Sequence, residues 1–312
     1  MICKGIVALS GGVGGAKLAL GFSRVIPDGL LTIIANTGDD FEHLGLSICP
    51  DIDTLTYALA GIDNPVTGWG RRDETWSFME SVKALGGEDW FRLGDRDLAV
   101  HVERTRRLRS GEALSAITAD FAGKLGIGAR ILPMSDDRVR TRVLSEQGWI
   151  DFQDYFVRQQ CRPVVRALTF EGASTSKPAP GVIEALREAH AIVICPSNPF
   201  ISIEPILAVP GIRAAIRASG APVVAVSPII GGKAVKGPTA KMMAELGMAA
   251  TALGVAQRYG DLLGGYVVEH SDEASVAGIA ARVTAAKTLM LSLDDREALA
   301  RVVLEAADAI RR

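Results

Sequence analysis

The chain has 312 residues, of which 48% are hydrophobic and 22% charged, enough for one large α/β core or two small ones and ordinary for a soluble enzyme. A formal net charge of −2 gives no global field favouring nucleic acid or an anionic membrane, and no run is apolar over the roughly 20 residues of a membrane span. The opening Met1-Ile2-Cys3-Lys4-Gly5 lacks the basic, apolar and small-residue series of a secretory signal, and Cys3, Cys49, Cys161 and Cys195 form no Cys-x-x-Cys pair. The expectation is a cytoplasmic protein with reduced thiols, no zinc site, no nucleic-acid partner and no membrane.

Residues 6–9 read as a buried strand, 16–26 as a helix and 30–35 as a second strand. Later apolar runs at 129–132, 191–195, 222–226, 265–268 and 288–291 read as further strands. Helical patterns at 182–189, 212–218, 240–246 and 295–310 separate many of them. Continuous apolar strands alternating with helices predict an α/β fold with a Rossmann-like parallel sheet covered on both faces. Residues 53–125 read as a mostly helical insertion that could wall a cleft, with Gly86, Gly87, Gly111 and Gly126 as helix ends. Glu146-Gln147-Gly148-Trp149, between β-prone runs in 138–157, predicts a small hairpin. No linker or repeat divides the chain, so 1–312 is expected to be a single domain.

Ser10-Gly11-Gly12-Val13-Gly14-Gly15-Ala16-Lys17 joins the first strand to the first helix. There the backbone can approach a ligand closely, and the helix N-terminus offers free N–H groups to a phosphate. It is neither a Walker loop, since Ala16 and Leu18 flank the lysine, nor a dinucleotide fingerprint, since Lys17 stands where the last glycine belongs.

Asn36-Thr37-Gly38-Asp39-Asp40 follows the second strand, and Cys49-Pro50-Asp51-Ile52-Asp53-Thr54 opens a helix. Carboxylates gathered at one end of a sheet need a cation or raised pKa values, and magnesium takes such oxygen ligands together with substrate phosphates. Turn and helix capping would use the same residues.

Leu93-Gly94-Asp95-Arg96-Asp97 sets an arginine between two aspartates, an arrangement that could orient its fork for a diphosphate or a polar heterocycle. One turn on, His101 reads as a packed or exposed structural residue, and Arg104-Thr105-Arg106-Arg107-Leu108-Arg109 as a solvated helix face. Two strand ends carry Pro196-Ser197-Asn198-Pro199 and Ser227-Pro228-Ile229-Ile230-Gly231-Gly232-Lys233, and Lys236-Gly237-Pro238-Thr239 leads into a helix. Such loops serve equally as ordinary turns or as hosts for a base or diphosphate.

In this order, the glycine loop, Asn-Thr-Gly-Asp-Asp, Cys-Pro-Asp-Ile-Asp-Thr, Gly-Asp-Arg-Asp, Leu-Pro-Met-Ser-Asp-Asp, Pro-Ser-Asn-Pro and Ser-Pro-Ile-Ile-Gly-Gly resemble the 2-phospho-L-lactate transferase family of coenzyme F-420 biosynthesis. The resemblance implies a magnesium-dependent transferase and a homodimer. Its donor is a lactyl-, enolpyruvyl- or glyceryl-diphosphoguanosine, and its acceptor is Fo, a deazaflavin (7,8-didemethyl-8-hydroxy-5-deazariboflavin). The ribityl hydroxyl attacks and GMP leaves. By motif match Asp53 and Arg96 fall at acceptor-site positions. Asp39, Asp53 and Arg96 are then the expected catalytic residues, with Asp39 and Asp53 as metal ligands and Asp51 as the rival. Gly11, Gly12, Gly14, Gly15, Lys17, Ser197, Asn198 and Ser227 are expected around the nucleotide. Trp69, Trp76, Trp90 and Phe91 offer faces on which a deazaflavin ring could stack. A related branch resembles nucleotide-sugar-binding regulators, which would keep the glycine loop without the acidic and arginine motifs.

Overall fold

Every side chain of Ile6–Ser10 is buried, and the strand they form, β1, lies in the middle of a seven-stranded parallel sheet. A strand covered on both faces has no polar alternation, and Leu31–Ala35 (β2) obeys the same rule beside it, with Ser10 in register with Ala35. The structure, a computed structural model, describes residues 5–234 and 237–311. Cys3 and Lys236 lie outside the described residues.

Between β1 and β2 runs α1 (Gly12–Val25). After β2 come a short antiparallel pair, β3 (Phe41–His43) and β4 (Leu46–Ile48), and four helices: α2 (Pro50–Leu59), α3 (Ser77–Ala84), α4 (Asp95–Arg109) and α5 (Leu114–Lys124). Strand β5 (Arg130–Pro133) pairs with β2 and closes that edge of the sheet. Strands β6 (Arg140–Ser145), β7 (Gly148–Asp151) and β8 (Ala167–Glu171) form a separate antiparallel sheet in the order β7-β6-β8. A π-helical turn at Asp154–Arg158 follows β7. The chain then returns through α6 (Val182–Glu188) to β9 (Ala191–Ile194), which pairs with β1 on its other side. Helices α7 (Glu204–Ala208) and α8 (Ile212–Ala218) precede β10 (Val223–Val226), and β11 (Ile229–Ile230) with β12 (Lys233–Ala234) make a small ribbon. Helices α9 (Thr239–Glu245) and α10 (Ala252–Tyr259), strands β13 (Gly265–Glu269) and β14 (Arg282–Ala286), and the final helix α11 (Leu293–Arg311) complete the chain. The sheet order is β14-β13-β10-β9-β1-β2-β5.

Alternate side chains of each strand serve opposite cores. Val7, Leu9, Ile34, Ile192 and Ile194 pack with Leu186, Ile206 and Ile212 on one face. Ile6, Ala8, Ile33 and Val193 pack with Leu18, Phe22, Ile52, Leu55 and Val303 on the other. The expected Rossmann-like α/β architecture is therefore present.

Three expectations change. Residues 288–291 are a loop, and the edge strand is β14 at Arg282–Ala286. The helical stretch 53–125 is partly built into the main body, because α2 and α5 place Leu55, Leu114 and Ala122 in the sheet's own core and Leu108 of α4 packs against it. The hairpin gains a third strand, β8. Among the described residues no single helix is long and apolar enough to cross a membrane.

Candidate functional site

The chain leaves β1 toward β2 and β5 in its first half, and fills the other side with β9, β10, β13 and β14 in its second. Beyond the carboxyl ends of β1 and β9 lies the crevice that such a reversal opens. The loops on its two banks are stitched together. Ser197 Oγ donates to the Gly11 carbonyl at 2.7 Å and accepts from the Gly11 amide at 3.2 Å. A side chain on Gly14 would place its Cβ 2.6 Å from the Pro196 carbonyl oxygen, so the closeness of the banks depends on that glycine. Gly12 differs: its φ is +65°, and a Cβ there would meet open space.

A cavity of about 630 Å³ opens here. Its floor is the glycine loop with Asp39, Asp51 and Asp53. The insertion contributes Trp69, Trp90 and Phe91 to one wall, and the helical turn that follows β7 contributes Phe152 and Phe156 to another. Of the expected site residues, Gly11, Gly12, Gly14, Lys17, Asp39, Asp53, Ser197, Asn198 and Ser227 line it, whereas Gly15 and Arg96 do not. Gly15 instead packs against Ser10 and Ser197 beneath the loop. Lys17 Nζ donates to the Met290 carbonyl at 2.9 Å and ties α1 to the loop after β14. The hydroxyl of Ser227 and the side-chain oxygen of Asn198 fasten their own turns, to Ile229 and to Phe200 and Ile201.

The carboxylates divide into two sets. Asp51 accepts from the Gly12 amide at 2.6 Å and from Asn36 Nδ2 at 2.8 Å. Burial pushes its carboxyl up to about 6 despite those bonds. Asp39 is held well above the ordinary carboxylate range, first by burial and then by the charge of Asp51, and its Oδ1 is buried with no hydrogen-bond partner among the described residues. Two such groups are suited to a cation, which would replace the missing partner and offset their mutual repulsion. Among the described residues no three His, Cys, Asp or Glu side chains could hold a metal ion by themselves, so further ligands would have to come from water or a bound ligand.

Asp53 belongs to the second set. Both its oxygens are engaged by Arg104, Oδ2 at 3.0 Å from Nη1. Arg104 is only 2% exposed, which corrects the reading of 104–109 as one solvated face. His101, also buried, stands with Nδ1 3.4 Å from Arg104 Nη1 and Nε2 3.2 Å from Asp97 Oδ1. The Tyr57 hydroxyl donates to the same Asp97 oxygen. Burial works to raise the Asp97 carboxyl, but the His101 ring beside it, the bond from Tyr57 and the charge of Arg104 bring it below the ordinary range.

The clamp expected around Arg96 is absent. Asp95 accepts from the Ser77 and Phe78 amides at 3.1 and 3.0 Å, and Asp97 turns to Tyr57 and His101. The Arg96 side chain is exposed, while its amide and that of Asp97 donate to Glu74 at 2.7 and 2.8 Å. Trp76 lies outside the lining, under the Arg92 guanidinium at 4.0 Å. Arg104, Tyr57, Phe152 and Phe156 were missed by the sequence reading. The one signal for Arg104 is its helical spacing from Asp97 and His101, which puts all three on one face of α4.

The fold and the crevice define a Rossmann-like α/β protein with an acidic, glycine-floored ligand site at its strand ends. A family model described as 2-phospho-L-lactate transferase CofD matches residues 6–307, and the chain belongs to that family. It is 46% identical to a phosphoenolpyruvate transferase of Kitasatospora aureofaciens, covering 98% of each chain. It is 44% identical to one of Streptomyces coelicolor, over 96% of each chain, and 38% identical to one of Mycolicibacterium smegmatis, over 97% of this chain and 98% of that one. A crystal structure of a UPF0052 family member from Bacillus halodurans superposes with a TM-score of 0.64 at 16% identity, covering 97% of this chain and 99% of that one, a likeness of fold.

Proposed function

We propose that the chain transfers a phosphoenolpyruvyl group from an enolpyruvyl-diphosphoguanosine to the terminal ribityl hydroxyl of Fo, releasing GMP, in the cytoplasm. The observation that carries this reading is the pairing of Asp39 and Asp51 beside the Gly12 amide, on the floor of a cavity of about 630 Å³. Relatives named phosphoenolpyruvate transferase favour the enolpyruvyl donor over the lactyl and glyceryl ones.

Asp39 and Asp51 would hold magnesium, which when bound neutralises charge on the donor diphosphate. The Gly11–Gly14 backbone receives that diphosphate at the N-terminus of α1, and Ser197, Asn198 and Ser227 border the nucleoside. Asp53, fixed by Arg104, faces the acceptor, with the Trp90 and Phe91 wall for its ring. The hydroxyl oxygen forms a bond to the phosphorus distal to guanosine as the bond from that phosphorus to the bridging oxygen breaks. GMP carries away the bridging oxygen, and the hydroxyl proton passes to a carboxylate or water.

The test mixes protein, magnesium, Fo and each of the three donors, and follows GMP and a heavier deazaflavin by mass spectrometry. Coupling with the enolpyruvyl donor is expected. No product with any donor, together with binding of a UDP-sugar, would make the chain a nucleotide-sugar-binding regulator instead. We also propose a homodimer; a single species near 33.0 kDa by light scattering would overturn that.

A further inference from the structure

Helix α4 meets the body of the protein through a polar seam. Asp97, His101 and Arg104 share the face of α4 turned to α2 and β4: Asp97 accepts from the Tyr57 hydroxyl, Arg104 engages both oxygens of Asp53, and His101 lies between them with Nδ1 3.7 Å from Asp53 Oδ2. The adjoining Thr105 continues the seam by accepting from the Ser47 amide at 2.8 Å. Asp53, Tyr57, Asp97 and His101 all line the cavity, while Arg104 stands behind them. A guanidinium that grips a carboxylate through two nitrogens fixes the plane as well as the place of that carboxylate. Each carboxylate oxygen has more than one lone-pair direction, so Asp53 can accept further hydrogen bonds from the cavity side.

We propose that Arg104 is a positioning residue of the acceptor subsite, holding Asp53 turned so that its free lone pairs receive the hydroxyl groups of a polyol-bearing acceptor. The proposal rests on the acceptor reading given above and assigns Arg104 a task that reaches the ligand only through Asp53. His101 borders the same geometry from the other side, with Nδ1 3.4 Å from Arg104 Nη1 and Nε2 3.2 Å from Asp97 Oδ1.

The test is titration of Fo, followed by its fluorescence, into wild-type protein and into Arg104→Gln, Arg104→Lys and the double variant Asp53→Asn/Arg104→Gln. GDP is titrated in parallel and thermal unfolding is recorded. Arg104→Gln is expected to weaken Fo by about tenfold or more, the scale of one charged hydrogen bond, with GDP affinity unchanged. Arg104→Lys is expected to recover part of the Fo affinity. Arg104→Gln leaves one buried charge alone and is expected to unfold early; the double variant, with neither charge, regains the melting temperature but not the Fo affinity. Arg104→Gln binding Fo as wild type does, Fo and GDP affinities falling together with stability, or a double variant with wild-type Fo affinity would each overturn the proposal alone. Wild-type protein that binds no Fo would overturn the acceptor reading and this assignment with it.

Discussion

Asp51 Oδ1 accepts a hydrogen bond from the Gly12 amide at 2.6 Å, so a carboxylate of the protein sits at the N-terminus of α1 where a ligand phosphate would be received. Without a cation this carboxylate repels a diphosphate; with one it holds the ion against it. Asp51→Ala is therefore expected to tighten GDP binding in magnesium-free buffer and to abolish the gain that magnesium gives, each by about tenfold. Calorimetry with and without magnesium checks both; an unchanged magnesium response would remove Asp51 from the metal site.

The Asp53–Arg104 pair changes what is expected of the single substitution Asp53→Asn. Removing one member of a buried pair leaves the other charge uncompensated and costs about 3–5 kcal/mol. The loss should appear in urea unfolding, alongside lower turnover. Wild-type stability in Asp53→Asn would mean that Arg104 finds another partner.

Arg96 and Arg104 should separate cleanly. Arg96→Ala, at an exposed position, is expected to raise the acceptor KM by less than Arg104→Gln does, and to leave both the melting temperature and GDP binding intact. Steady-state kinetics in Fo decides the ranking.

The glycines of the loop are also distinguishable. Gly14→Ala forces its Cβ to 2.6 Å from the Pro196 carbonyl and should destabilise the joined banks of the crevice. Gly12→Ala meets no atom but requires a left-handed backbone at about 1 kcal/mol, so it should fold and lose GDP affinity instead. Thermal melts and GDP titrations of both variants provide the comparison, and equal loss of stability in the two would refute it.

Burial pushes the Asp40 carboxyl from its ordinary 3.8 up to about 7, against the pull of Arg140. Between those values the folded chain keeps a proton that the unfolded chain has released. Stability contributed by this group is therefore full at low pH and falls as pH rises through that window, by roughly 4 kcal/mol, then levels off. Asp51 adds a slope of the same sign that ends near 6. Asp40→Asn should flatten the melting temperature between pH 4.5 and 7.5 and raise it at pH 8. A variant whose melting profile parallels wild type would exclude Asp40 as the source.

Sequence legibility followed burial. β1, β2, β9 and β10 were readable because each is buried along its whole length and leaves an uninterrupted apolar run. β14 and β8 escaped because they are partly exposed, with Arg282 and Glu171 at their ends and only part of each strand in a core. Residues 288–291 imitated a strand because Met290 reaches the core while Thr288 binds the Glu269 carboxylate through both its amide and its hydroxyl, at 2.8 and 3.0 Å. The acidic floor of the cavity was legible because its residues follow strand ends. Arg104 was not, since a polar stripe on a helix is usually turned to water, and only the partner across the seam reveals otherwise.

The reversal of strand order at β1 has an evolutionary corollary. Everything that reaches the cavity from the insertion and from the loop after β2 is encoded before residue 125, whereas the banks after β9, β10 and β14 are encoded after residue 190. The donor's nucleoside end and the acceptor, met by these two stretches, would be recognised by separate segments of the gene, with the donor diphosphate held between them at the glycine loop. Substitutions in the insertion would retune the acceptor while the second stretch kept the nucleoside, with β1 and its glycine loop as the shared hinge of inheritance.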